Sequence, residues 1–250
     1  MNDRSDSGHS HKNPAVSLDN VVEGRRPPPP SQVKENRVDR ALAQSWLLAF
    51  EDAALAEKDH LTTLDSAIGD GDHGVNLHRG LSRVRRWLES GEIPDSPGEV
   101  LRESGALIRA HVGGASGVLY GGAFSAMGTA LPAAGADAAQ FGDALSAGLD
   151  AIVRLGAAAP GDKTMVDAFT PALTAFRTAR AGNLGAAAAA AASGAAAGAW
   201  STIPMQARKG RASYLGHRSV GHMDPGAAST ALLFRSLARV AAPASARTPR

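Results

Sequence analysis

The 250-residue chain contains no cysteine, which removes any disulfide framework. Aromatic residues make up only 4%. No stretch alternates β-branched and aromatic residues, so the usual signature of a sheet is missing. Neither sign of charge dominates: 26 Lys+Arg stand against 24 Asp+Glu, a formal charge of +2. The sequence pI of about 9.2 rests on that narrow margin, and no nucleic-acid partner is expected from bulk charge. A long strongly apolar run is also lacking. The nearest approach, LGAAAAAAASGAAAGAW at 184–200, is mostly alanine and leads into a polar stretch with Pro204, so it predicts a close-packed helix rather than a membrane span. No charged, apolar, small-residue leader precedes the body, and a cytoplasmic location without membrane association is expected.

What is present is helical pattern. Residues 1–35, with MNDRSDSGHSHK and RRPPPP, are polar and proline-rich, and predict a disordered tail in which His9 and His11 are simply solvated. From residue 36 to 241 the pattern is that of one helical domain, followed by a flexible C-terminal tail at 242–250. Val38, Leu42, Trp46, Phe50 and Leu55 recur at spacings of four and five, one stripe of a first core helix. Further helices are predicted at 74–89, 97–112, 116–133, 137–158, 164–181, 184–201 and 226–241, each closed by Gly, Pro or a polar loop. About eight helices with no strands make an all-α bundle the expected fold.

The chemistry lies in the loops. LDSAIGDGDHGVNLHRG, 64–80, sets Asp65, Asp70 and Asp72 within eight positions. Spacings of five and two do not stack side chains on one helix face, so the three must converge through a loop. Gly69, Gly71 and Gly74 permit such a loop. Three converging carboxylates repel unless a cation lies between them, and a hard divalent ion such as Mg²⁺, completed by substrate phosphates, suits oxygen ligands of this kind. An EF-hand is excluded, because counting twelve from Asp70 reaches Leu81 where a bidentate Glu is needed.

Three other segments carry weaker signals. GAAAPGDKT, 156–164, nearly spells a Walker A loop, but Asp162 interrupts it and the preceding segment is helical; it predicts a helix N-terminus with Asp162 near the cap. KGRASYLGHRSVGHMDPGAAS, 209–229, gathers Lys209, Arg211, His217, Arg218 and His222 ahead of the last helix, a candidate anion site. HVGGASGVLYGGAFSAMG, 111–128, places small residues at a helix start, where backbone amides can meet a phosphate or helices can touch.

Taken together, the four segments resemble the nucleotide-binding L subunit, or L domain, of dihydroxyacetone kinases over residues 36–241. The resemblance implies a barrel of about eight antiparallel helices whose loops at one end hold ADP or ATP through two Mg²⁺ ions. By position it implies Asp65, Asp70 and Asp72 as metal ligands. It implies His73, Gly74, Val75, Asn76, Ala115, Ser116, Gly161, Thr170, Arg211, Asp224, Pro225 and Gly226 as nucleotide-contacting positions, with Arg211 also a phosphate stabiliser. Thr170 falls where the family commonly has a larger apolar residue, Val118 where it has proline, and His217 where it has Glu. The triose is held in this family by a separate K subunit or domain, so the chain is expected to be half of an enzyme. It would use ATP directly, or keep ADP as a cofactor rephosphorylated by a phosphotransferase-system protein. The alternatives are a non-catalytic Mg-nucleotide sensor and a subunit of a kinase for another short polyol or ketose. Metal-dependent phosphate-ester hydrolysis is disfavoured, since His73 is the only arguable water-activating base.

Overall fold

The stripe through Trp46 and Phe50 forms the first helix as its periodicity requires, but that helix ends sooner than the pattern does. The structure is a computed structural model describing residues 36–181 and 183–242. In it the first helical pattern divides at Glu57 into α1 (Arg40–Ala56) and α2 (Lys58–Ile68). Leu55, the last residue of the stripe, is consequently exposed. There follow α3 (His73–Glu89), α4 (Pro97–His111), α5 (Gly114–Ala130), α6 (Ala138–Gly156), α7 (Met165–Ala179) and α8 (Leu184–Ser201). A 3₁₀ segment, Arg211–Ser219, then leads to α9 (Pro225–Ala241). Among the described residues there are thus nine α-helices and no strand, only an isolated bridge between Val38 and Ala136. The segments read as tails lie outside the described residues, except Ala242.

The caps follow ordinary rules. Asp39, Ser96, Asp137, Asn183 and Asp224 each accept a backbone N–H at the start of their helix. In α7 the N-cap is Thr164 rather than Asp162. Thr164 Oγ1 accepts from Val166 N at 3.1 Å and the Asp167 carboxylate accepts from Thr164 N at 2.8 Å, a reciprocal box. Asp162 instead accepts from Ala159 N within the preceding turn.

Eight helices close a ring: each of α3 to α8 packs on its successor, α9 packs on α1, and α1 on α3, while α2 lies outside against α3 and α9. The aromatic residues are few but well placed. All six phenylalanines are fully buried, each ring contributing about 2 kcal/mol. With Trp46 and Tyr120 they meet at tilted or edge-on angles, edge-on in Trp46–Phe141 at 5.8 Å and Phe169–Phe234 at 4.9 Å. The Trp46 indole donates to Leu233 O, tying α1 to α9.

The alanine-rich α8 packs so closely on α7 that a Cβ on Gly198 would fall 2.2 Å from Asp167 O. That is the carbonyl to which Pro171, inside α7, has no N–H to donate. Small residues here serve the close approach of α8 to α7. Among the described residues no helix is long and apolar enough to cross a membrane.

Candidate metal and nucleotide site

The N-termini of α3, α5, α7 and α9 and the C-termini of α2 and α6 all line one cavity of about 350 Å³. Since α4 and α8 also end on this side, the ring helices alternate in direction, as the barrel resemblance implies. One end of the barrel therefore presents four helix N-termini, each with amides lacking intrahelical partners.

The acidic loop forms one wall. Asp65, Asp70 and Asp72 each bring a carboxylate oxygen to within 4.8 Å of the others. Asp65, on the last turn of α2, is buried, while Asp70 and Asp72 are exposed at the mouth. Its Oδ2 accepts from Asp72 N at 2.8 Å and His73 N at 3.1 Å, so Asp65 caps α3 from outside. Those bonds fix the loop geometry and leave Oδ1 for another partner. Arg211 Nε stands 3.1 Å from Asp70 Oδ2, with both side chains substantially exposed. Three carboxylate oxygens in this arrangement fit a hard divalent cation.

A hydrogen-bond chain stiffens the next wall. Ser116 Oγ lies 3.0 Å from His73 Nδ1, His73 Nε2 lies 2.9 Å from Ser229 Oγ, and Tyr120 OH bridges Ser229 and Thr230. Burial lowers the His73 pKa against the pull of Asp65 and Asp72, so the imidazole is held neutral at pH 7. A neutral ring offers one donor and one acceptor, which matches two serine hydroxyls and links α3, α5 and α9. Burial pushes the Tyr120 phenol up to about 12, keeping it a donor throughout the physiological range. At the start of α5, N-cap Gly113 has no side chain to spend on the free amides, which leaves them for an anion.

The far wall holds Lys163 and Asp224. Burial, reinforced by Asp167 and Asp65 and opposed by Ala227 N–H and Lys163, raises the Asp224 carboxyl to about 7. Lys163 lines the cavity yet is 1% exposed, and burial lowers its pKa.

Residues 67–239 match the family described as the DAK2 domain. The chain is 41% identical over 208 residues to the Escherichia coli PEP-dependent dihydroxyacetone kinase, ADP-binding subunit DhaL, covering 82% of this chain and 98% of that one. It belongs to the DAK2 family. The ADP-binding subunit DhaL of PEP-dependent dihydroxyacetone kinase 1 from Listeria innocua is 39% identical over 80% of this chain and 96% of its own. Among solved structures, the C. freundii dihydroxyacetone kinase in complex with AMP-PNP and Mg²⁺ superposes with a TM-score of 0.61 at 28% identity. That alignment covers 92% of this chain, which spans 37% of the C. freundii chain.

The cavity gathers Asp65, Asp70, Asp72, His73, Ala115, Ser116, Arg211, Asp224, Pro225 and Gly226 from the sequence-derived set. Five others stand back from its lining. Val75 is exposed on the first turn of α3. Asn76 is buried, with Arg79 donating to its Oδ1 at 2.8 Å. Gly74 faces α2, Gly161 donates its N–H to the Asp167 carboxylate, and Thr170 lies half-buried in the second turn of α7. Sequence reasoning missed Lys163, Thr164 and Asp167. The Thr-x-x-Asp box was visible in TMVD, but nothing local announces a buried lysine.

Proposed function

We propose that this chain is the ADP-binding subunit of a dihydroxyacetone kinase, holding Mg-nucleotide in the cavity and passing a phosphoryl group to a triose presented by a separate K subunit. The observation that carries this reading is the convergence of Asp65, Asp70 and Asp72 at the mouth of a cavity ringed by four helix N-termini.

Asp65, Asp70 and Asp72 would hold two Mg²⁺ ions, which when bound supply the positive charge that draws phosphate oxygens to the acidic wall. The rest falls to the chain's own groups. The amides opening α5 and the guanidinium of Arg211 neutralise the remaining phosphate charge, and the His73–Ser116 bond fixes where α5 begins. Phosphoryl transfer asks mainly for such positioning and electrostatics. The relatives matched over 96% and 98% of their own length are named PEP-dependent subunits. That favours ADP kept as a cofactor and rephosphorylated by a phosphotransferase-system protein, over direct use of ATP.

Native mass spectrometry of the purified chain is expected to show ADP with two Mg²⁺ ions; a bare chain after purification in Mg²⁺ and ADP would contradict the reading. The isolated chain is expected not to phosphorylate dihydroxyacetone with ATP, and robust turnover by the pure protein would overturn the half-enzyme arrangement. Deleting residues 1–35 is expected to leave Mg-ADP affinity within about tenfold, or about 1.4 kcal/mol. A larger loss in a binding titration would place part of that segment in the site.

A further inference from the structure

Lys163 belongs to the segment that almost reads as a Walker A loop, yet its ammonium does not reach toward the metal loop. Nζ donates to Thr202 O at 2.8 Å and to His222 O, carbonyls that lie 39 and 59 residues away in sequence. The side chain is 1% exposed and its backbone sits at φ 61°, a conformation a lysine adopts only when its surroundings impose it. A buried ammonium is costly unless partnered, and here two backbone carbonyls partner it.

Those partners suggest its role. Thr202 Oγ1 accepts from Asp224 N at 3.0 Å, and Asp224 Oδ2 accepts from Ala227 N at 2.7 Å, capping α9. His222 is two residues before Asp224. The Lys163 ammonium thus pins both approaches to the N-terminus of α9, whose Asp224, Pro225 and Gly226 line the cavity. A second tie, Arg208 N to Asp162 O at 3.0 Å, joins the same loop to the chain leading to Arg211.

We propose that Lys163 is a positioning residue for the nucleotide: it fastens the loop before α7, the end of α8 and the loop before α9 into one rigid lip of the cavity, with no bond of its own to the acidic loop. This rests on the ADP-binding reading above. Lys163 acts through the Thr202 and His222 carbonyls rather than as a phosphate ligand, so its loss separates nucleotide binding from metal binding.

Lys163→Met keeps most of the stem and removes the ammonium. ADP affinity is measured by calorimetry in saturating Mg²⁺, at a temperature where circular dichroism shows the variant folded. Binding of Mn²⁺ without nucleotide, followed by electron paramagnetic resonance, reports on Asp65, Asp70 and Asp72. The expected result is a loss of about tenfold or more in ADP affinity, with Mn²⁺ affinity within about twofold of wild type. Lys163→Gln removes the charge but keeps a polar end that can donate to one carbonyl, and is expected to give the same split at about fivefold; it decides the matter if Lys163→Met does not fold. Variants that melt lower but bind ADP as tightly as wild type would reduce Lys163 to a packing role and overturn the proposal. Equal losses of ADP and Mn²⁺ would overturn it too. A wild type that binds no ADP would instead defeat the ADP-binding reading, and this proposal with it.

Discussion

Asp70→Asn is expected to weaken Mg-ADP binding by about 100-fold, close to 2.7 kcal/mol, while the protein without ligand melts at or slightly above the wild-type temperature. The two halves of that result have different causes. Binding suffers because the amide is a poorer ligand for a hard cation and removes one of three negative charges that face it. Stability does not suffer, because Asp70 is exposed at the mouth and its pair with Arg211 is largely solvated, a geometry worth little. Relief of repulsion among three carboxylates works the other way and offsets that small loss. Since ligand stabilisation follows affinity, the rise in melting temperature on adding Mg-ADP should shrink. Paired thermal melts with and without Mg-ADP check both halves. A solvated turn with no metal role would leave the full ligand-induced rise in the variant.

Gly74→Ala is expected to destabilise the fold by about 3 kcal/mol, lowering the melting temperature by roughly 6–12 °C for a domain of this size. A Cβ at this position would fall 2.0 Å from Lys58 O and 2.7 Å from Thr62 Oγ1, both on α2. The first of these is backbone and cannot rotate away, so α2 and α3 would have to part. That separation also strains the bonds from Asp72 N and His73 N to Asp65, which hold the acidic loop in shape. The neighbouring Val75→Ala, on an exposed side chain, is expected to change stability by no more than about 0.5 kcal/mol. Chemical denaturation of the two variants side by side separates close packing from any general sensitivity of this turn. A Gly74→Ala protein as stable as wild type would show that the helices are not held this closely.

Most of the helices were legible in the sequence because they carry their own periodicity and stop signals, whereas α5 and α8, rich in Ala and Gly, have almost no apolar face and were marked by their composition and flanking breaks. The break at Glu57 was not. No Gly or Pro marks it, and the apolar stripe runs through Leu55; the chain turns there because α2 packs outside the ring, with Arg235 of α9 reaching Glu57 at 3.4 Å. The acidic loop was legible because its chemistry is compressed into eight positions, whereas the far wall is assembled from residues 163, 202, 222 and 224. Lys163 owes its burial to partners that local reading cannot pair with it, so GAAAPGDKT predicted a helix N-terminus and no Walker A loop, but no role for the lysine. Gly74, which the family resemblance implies as a nucleotide-contacting position, has a packing requirement that local reading does not show, the approach of Lys58 O.

The most direct measurement is a calorimetric titration of ADP into the full chain, once in millimolar Mg²⁺ and once in excess EDTA. If Asp65, Asp70 and Asp72 hold the nucleotide through divalent ions, binding in Mg²⁺ should exceed binding in EDTA by about 100-fold or more, and Asp70→Asn in Mg²⁺ should fall toward the EDTA value. Equal ADP affinity in the two buffers would contradict it, because the nucleotide would then be held without the acidic loop.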